Sequence, residues 1–576
     1  MMLRAIRASW KARIEEELQK IAETNGKVTL PELIVQTPPK VELGDIAFPL
    51  FAQAKILGMS PPALANELKN RLNTHELLVS GPYLNVRIDM SALALDLAKA
   101  IREEGDAYGH NKTLAGKRVM VEFSCPNTNK PLHLGHLRND SIGESISAIL
   151  KANGAEVRKV NLINNRGVHI CKSMLAYRKF GNGETPQSTG RKGDHFVGDY
   201  YVLYNRKVEE DPSLEQQAQA MLKAWEDGDE EVVALWEKMN SWTLEGLAQS
   251  YERMRVSFDH YYYESETYRY GKDEVLKGVE QGVFYREADN SVWVDLEAIG
   301  LDKKVLLRSD GTSLYMTQDL GTAIRRNEDW PFDSMIYVVA SEQQYHFKVL
   351  FYTLGLLGYP WAKDLHHLSY GMVNLPDGKM KSREGKVVDG DDLVEELTRL
   401  AKEEIISKER EDLVGDLEET SLSIALGALN YYLLQVSPTK DMIFNPAESI
   451  SFNGNTGPYL QYMGARISSM LAKYEKEIPV SFDAGVLTLE DERSLVRQLA
   501  LFGEVVERAA EGYDPSQITA YLYELSKTFS RWYHDNPVLK APTPALVEAR
   551  VVLASNVLQV LKNAFALVGI PFLAAM

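Results

Sequence analysis

Two short stretches hold residue types that could do chemistry. The first, PNTNKPLHLGHLRND (126–140), sets His133 and His136 three residues apart, with Gly135 between them and Lys130 just upstream. Residues three apart share one face of a helix. At a helix start such a face meets unpaired N–H groups and the positive dipole end, both suited to phosphate. Gly135 carries no side chain and lets a flat ring approach the backbone, while Lys130 adds fixed positive charge. The set reads as a triphosphate cradle that is not a P-loop, since no GxxxxGK[ST] occurs. By itself the HxGH pattern reads equally well as a helix cap with surface histidines. The second stretch, GKMKSREG (378–385), is a basic, glycine-flanked loop that alone would be a solvated charged loop. The two in this order, flanking one α/β region, point to phosphate chemistry.

The elements that must position these residues follow from the patterning. A strand is expected at RVMVEFS (118–124), then the loop SCPNTNKP, a helix from about His133 to Asn153, and a strand at VRKVNLI (157–163). Strand, helix, strand predicts a parallel sheet, and its C-terminal edge is where open α/β folds bind ligands. An insertion from about 176 to 290 interrupts the unit. It begins with a Gly-rich loop, FGNGETPQSTGRKGDHFVGDY, and continues as a helix pair packed through Met221, Leu222, Trp225, Val232, Leu235, Trp236 and Met239. Strands at SVWVDL (291–296) and SMIYVVAS (334–341) and a helix at HFKVLFYTLGLLG complete the α/β region near residue 390. Residues 1 to about 110 read as mixed helix and strand, with a Ser-Pro helix start at residues 60–61 and a linker at 103–117. Beyond about 391 the chain reads as almost all helix, with Ile518, Leu522, Leu525, Phe529 and Trp532 on one face.

Composition narrows the function classes. The 576 residues, 45% hydrophobic and 25% charged, fit roughly two to four soluble domains. A net charge of −17 speaks against non-specific nucleic-acid binding but leaves room for a local basic groove. Two cysteines, Cys125 and Cys171, are too few for a disulfide framework or a four-cysteine zinc site and suit a reducing cytoplasm. No apolar run reads as long enough to span a bilayer. The N-terminal stretch reads as an amphipathic surface helix, not a signal peptide.

At these residues the sequence resembles the class I aminoacyl-tRNA synthetases, HLGH matching HIGH and KMKS matching KMSKS. The finer resemblance is to arginyl-tRNA synthetase. It extends over nearly the whole chain, through VEFSCPNTNKPLHLGHLRNDSIGESI, LLRSDGTSLYMTQDLGTAIRR, YVVASEQQYHFKVLFYTLGLLGY, LSYGMVNLPDGKMKSREGKVVDGDDL, FNPAESISFNGNTGPYLQYMGARI and the ending LVGIPFLAAM. The resemblance implies a Rossmann-type α/β catalytic core over 111–390 carrying the connective insertion. It implies an α+β N-terminal domain over 1–110 that touches the tRNA elbow, and an all-α helical domain over 391–576 for stem contact and anticodon binding. It also implies a ligase forming carbon–oxygen bonds. L-Arginine would be activated by ATP, with Mg2+, to arginyl-adenylate and transferred to tRNA(Arg) by a cytoplasmic monomer with no membrane partner.

The residue roles implied by resemblance are these. His133 and His136 hold the triphosphate in the transition state, Gly135 packs beneath adenine, and Lys379 and Lys381 neutralise pyrophosphate. His346, Gly371, Met372, Val373 and Met380 join the ATP contacts. KMSKS has its second lysine fourth, where this chain has Ser382; Lys381 stands third, and Lys130 is the replacement that related degenerate loops use. The guanidinium is a planar cation with five donors, best matched by an acidic fork. Asp319, with Tyr315 on the same helix face, and Glu264 match that need, while Gln343, Asn127 and Ser124 complete the arginine contacts. Taken singly, Tyr315 would be core packing and Asp319 a helix-end charge. On the tRNA side, residues 461–576 hold eleven Lys and Arg against thirteen Asp and Glu. Anticodon reading would therefore lean on stacking, with Tyr459, Tyr462, Trp532 and Tyr533 as candidates, although core packing suits most of them.

Three other readings stand beside this one. A cysteinyl enzyme would need more zinc-ligating cysteines, and a glutamyl enzyme would need cations where Asp319 and Glu264 stand. A small adenylyltransferase would lack the helical C-terminal region. A tRNA-binding scaffold that has lost catalysis would fit the shifted KMKS loop but not the intact His133, His136, Lys130 and Asp319.

Overall fold

The computed structural model describes residues 2–24, 26, 29–374, 376 and 388–576. The KMKS stretch with Lys379, Met380 and Lys381 lies outside them. The chain forms two compact units. One comprises Met1–Asn111, Arg466–Glu507 and Tyr521–Asn563, the other Lys112–Ala465, Arg508–Ala520 and Ala564–Met576.

In the first unit a long helix, Met2–Thr24, accompanies an antiparallel sheet of β1 (Ile46–Pro49), β2 (Leu77–Ser80) and β3 (Tyr83–Val86) in the order β1-β3-β2. The helix Pro61–Leu72 starts as its sequence predicts: the Ser60 side chain accepts from the Ala63 N–H, and proline fills the first turn, where its missing N–H costs nothing. The stretch expected to be a linker instead begins with the end of a helix, Met90–Glu104, and Tyr108 is buried with its hydroxyl on the Leu499 carbonyl. Ile518 belongs to the second unit, and Leu522, Leu525, Phe529 and Trp532 to the first; all five are fully buried.

The helix Pro544–Leu567 is, by length and composition, apolar enough to cross a bilayer, which corrects the expectation that no such run exists. Its neighbours account for that apolarity. Val551, Ala554, Val557, Val560 and Leu561 are buried, and Arg550 bonds the equally buried Glu492 at 2.9 Å.

The second unit is built on a five-stranded parallel sheet: β4 (Arg118–Glu122), β5 (Glu156–Ile163), β6 (His260–Tyr263), β10 (Ser334–Ala340) and β11 (Leu365–Tyr370). The order is β11-β10-β4-β5-β6, and every pairing is parallel. Strands such as RVMVE and SMIYVVA are apolar at successive positions because helices cover both faces. The chain order reverses between β4 and β10, and the crevice at such a switch point is the ligand site of doubly wound sheets.

Two features differ from the expected organisation. Most of the supposed Gly-rich loop is helical: Pro186–Thr189 and Gly193–Glu210 form helices. Phe196, Val197 and Tyr204 at helical spacing are buried against Tyr177 and Trp242, and apolar periodicity outweighs scattered glycines. The segment SVWVDL supplies no strand to the central sheet. It forms β8 (Val292–Val294) between β7 (Tyr285–Arg286) and β9 (Lys304–Leu307) in a separate antiparallel sheet. The expected helix pair is Ser213–Glu226 and Glu230–Met254, its apolar residues in one core.

Candidate active site

The loop after β4 is held in an unfavourable shape. Ser124 and Cys125 have φ of +73° and +51°, a left-handed conformation that costs a non-glycine residue about 1–2 kcal/mol. Their backbone N–H groups are caught by Asn139 Oδ1 at 2.7 Å and Asn161 Oδ1 at 3.1 Å, and Ser124 Oγ lies 2.7 Å from the Tyr251 hydroxyl. The loop runs on through Asn127, which bridges to Asn164 beyond β5, to the helix Leu134–Ala152.

That helix is capped by imidazoles. His133 Nδ1 accepts from the Gly135 N–H at 3.1 Å, and His136 Nδ1 accepts from the His133 N–H at 3.1 Å. Two orphan donors of the first turn are thereby satisfied. Because each Nδ1 accepts, each ring carries its proton on Nε2, the donor that remains for a ligand. The rings lie 3.9 Å apart between centroids. Burial, reinforced by Lys130, pushes His133 down to about 4. Burial, His133 and Lys130 hold His136 well below its ordinary value. Both are therefore neutral donors at neutral pH. Burial also lowers the Lys130 ammonium.

One turn on, Arg138 is fully buried and bonds main-chain carbonyls of Gly371 (2.6 Å), Lys440 (2.8 Å) and Pro438 (3.2 Å). It fixes the segment Gly371–Val373 against the helix that begins with the histidines. Gly371 must be glycine, since a Cβ would stand 2.4 Å from the Lys440 carbonyl carbon. The Met372 N–H donates to Asp441 at 2.7 Å, and β12 (Val373–Asn374) pairs with β13 (Met442–Ile443). The segment 388–390 is tied to the same helix start: the Leu134 N–H donates to the Val388 carbonyl and the Gly390 N–H to that of Leu132. Asp194, His195 and Asp391 lie close enough to share a cation, but Lys192 Nζ already bonds both carboxylates, at 3.1 and 2.5 Å.

A cavity of about 460 Å³, lined by Cys125 and Asn127 of the loop that leads to the histidine helix, opens at the C-terminal ends of β4, β5, β6 and β10. Asn127, Glu264, Tyr315, Asp319, Gln343 and His346 all line it. Glu264 opens the short helix after β6. Tyr315 and Asp319 lie one turn apart on the helix Tyr315–Asp329, Gln343 ends the turn after β10, and His346 follows in the helix Gln344–Leu356. His346 Nε2 stands 2.5 Å from the Asp319 carboxylate, and Tyr315 is 73% exposed. Burial, with Asp319 adding repulsion against the pull of Arg166, raises Glu264 to about 7.

The structure thus brings five of the six expected arginine contacts, and His346, around one cavity. Ser124, Lys130, His133, Gly135 and His136 belong to the β4 loop and the helix start, and Gly371, Met372 and Val373 to the segment after β11. Sequence reasoning missed Arg138, Asn139 and Arg166. Arg138 and Asn139 had only a weak signal, since the buried face of their helix also carries Asp140, Ser141, Ser145 and Ser147. Arg166, which lines the cavity and stacks over Tyr268 at 4.0 Å, had none.

Fold and site together are those of a class I aminoacyl-tRNA synthetase. Residues 98–446 match the model of the class I tRNA synthetase (R) catalytic domain. Residues 8–88 match the arginyl-tRNA synthetase N-terminal domain, and residues 460–576 the DALR anticodon-binding domain. The chain is 55% identical to the arginine–tRNA ligase of Treponema denticola, with 99% of this chain and 100% of the relative covered. It is 46% identical to that of Bacteroides thetaiotaomicron, over 94% and 95%. The solved arginyl-tRNA synthetase of Thermus thermophilus superposes with a TM-score of 0.81 at 28% identity, covering 99% of this chain and 100% of that one. The chain belongs to the arginyl-tRNA synthetase family.

Proposed function

We propose that the 460 Å³ cavity binds the side chain of L-arginine and that the imidazole-capped helix binds ATP, taken up as its magnesium complex, for charging of tRNA(Arg) by a cytoplasmic monomer. The observation that carries this reading is the convergence of Asp319 and Glu264 on one cavity that Cys125 and Asn127, of the loop leading to His133 and His136, also line. Two carboxylates match a guanidinium fork, and Tyr315 at the rim offers it a ring face. Asn127, Ser124 and Gln343 hold the amino-acid backbone.

In the first step an arginine carboxylate oxygen attacks the α-phosphorus. The bond to the β-phosphate bridging oxygen breaks and pyrophosphate leaves. The protein's task is positioning and stabilising charge on phosphate oxygens in flight. His133 and His136 donate through Nε2–H. Lys130, with Lys379 and Lys381, supplies positive charge to the leaving pyrophosphate, and Gly135, Gly371, Met372, Val373 and Met380 seat the adenosine. In the second step the 2′-hydroxyl of the terminal tRNA adenosine attacks the carbonyl carbon and AMP leaves.

Selectivity follows from the same cavity, since a neutral or shorter side chain would leave two carboxylates unpaired. The test is aminoacylation of total tRNA with labelled arginine beside a pool of the other amino acids. Arginine alone is expected to be charged. Charging from the pool would overturn the pocket assignment, and a folded protein that charges nothing would overturn the activity. Light scattering of the free protein tests the monomer.

A further inference from the structure

Besides Arg166, a fully buried guanidinium of the protein lines the cavity. Tyr315, Asp319, Thr322 and Arg326 follow one face of the helix Tyr315–Asp329, and all four line the cavity. Arg326 is 1% exposed and bonds the carboxylate of Glu122, itself 4% exposed at the end of β4. The guanidinium lies 5.0 Å from the Tyr262 ring centroid and 5.9 Å from that of Tyr337. Tyr337 stands opposite Glu122 in β10. Glu122 leads directly into the strained Ser124–Cys125 turn. The cavity therefore holds three carboxylates; of the two arginines that line it, Arg166 acts on Glu264, and Arg326 engages the buried Glu122 in the manner expected of a substrate.

We propose that Arg326 is a specificity-determining positioning residue: by occupying Glu122 it closes the end of the guanidinium pocket and leaves Asp319 and Glu264 as the acidic pair that faces the substrate. This deepens the arginine-pocket reading and rests on it. Without Arg326 the floor is an unpaired buried acid, whose charged form an incoming cation would stabilise, so a longer cationic side chain is drawn inward. Without Glu122 the floor is an unpaired cation, which repels any guanidinium.

The experiment is arginine-dependent ATP–pyrophosphate exchange, with tRNA present, on the full chain and on R326M, E122Q and E122Q/R326M, using arginine and homoarginine, with thermal melts of each protein. In R326M the kcat/KM preference for arginine over homoarginine is expected to fall about tenfold, the low end of what one methylene is worth in a shaped pocket. In E122Q the KM for arginine is expected to rise about tenfold or more while kcat changes less. The double variant, with a neutral floor of similar volume, should recover both quantities to within about threefold of the parent. A folded R326M with unchanged preference overturns the proposal. If R326M does not fold, an unchanged arginine KM in E122Q, or a double variant no better than E122Q, overturns it. A parent protein without arginine-dependent exchange instead sinks the pocket reading beneath it.

Discussion

His346 Nε2 meets the Asp319 carboxylate at 2.5 Å inside the cavity, so a residue expected on ATP and a residue expected on arginine touch each other. On the proposed pocket, the imidazole is expected to fix the carboxylate that meets the guanidinium. H346A is expected to raise the arginine KM about tenfold, and D319N to cut arginine activation by roughly two orders of magnitude or more, as when one partner of a bidentate charge pair is lost. Exchange assays at saturating ATP measure both. An H346A variant whose ATP KM rises while its arginine KM stays put would place His346 on the nucleotide alone.

On the proposed pocket, Glu264 is expected to make arginine binding pH-dependent. Its carboxyl is raised to about 7, so below that pH it is protonated and offers the guanidinium no charge. The arginine Kd, measured calorimetrically without ATP, should fall as pH rises from 6 to 8, and binding near pH 7 should release protons. E264Q should bind more weakly and lose this dependence. A parent Kd that stays flat across the range contradicts the assignment.

The imidazole pair should behave differently. His133 and His136 are neutral across the working range because burial holds both down. Their contribution as Nε2–H donors should show no titration between pH 6 and 8. H136A is expected to lower kcat for exchange by roughly a hundredfold or more with a small change in arginine KM, as for loss of a transition-state donor. A variant that loses arginine affinity instead would move His136 into the amino-acid pocket.

Asp140 tests the helix behind the site. Its carboxylate is buried, both oxygens are without a hydrogen-bond partner, and burial raises it to about 8 despite nearby Ser124. The folded protein holds a proton there that the unfolded chain gives up near pH 4, so this group's contribution to stability falls as pH rises from about 4 to 8. D140N should melt higher than the parent at pH 8.5, by about 2 °C or more, and show no such gain at pH 4.5. Equal melting temperatures at pH 8.5 would exclude the buried acid.

Much of this architecture was legible in the chain because period and position carry it. The stretches RVMVE, VRKVNLI and SMIYVVA gave their strands through short runs rich in β-branched and other apolar residues, and the histidine helix started within a residue of expectation. Tyr315 and Asp319 share a helix face because they are four apart, as simple geometry requires. What sequence could not give was contact across long separations. Nothing in the stretch that ends at Arg326 names Glu122, 204 residues away, as its partner. The SVWVDL strand looked like a member of the main sheet because alternation reports a pleat but not which sheet owns it. The 193–210 helix was hidden by its glycines, although Phe196, Tyr200 and Tyr204 recur every fourth position.

The imidazole cap has a consequence for inheritance. Each histidine ring is engaged inward through Nδ1 by the polypeptide, which leaves Nε2 as the donor proposed for the ligand. Replacing either ring removes a cap, which costs about 1 kcal/mol of stability, before any substrate is present. Drift that tolerates loss of activity would still meet resistance at these two positions. A descendant of this chain freed from catalysis would be expected to shed Glu264, which lines the cavity and caps no helix, earlier than the histidines that hold their own helix together.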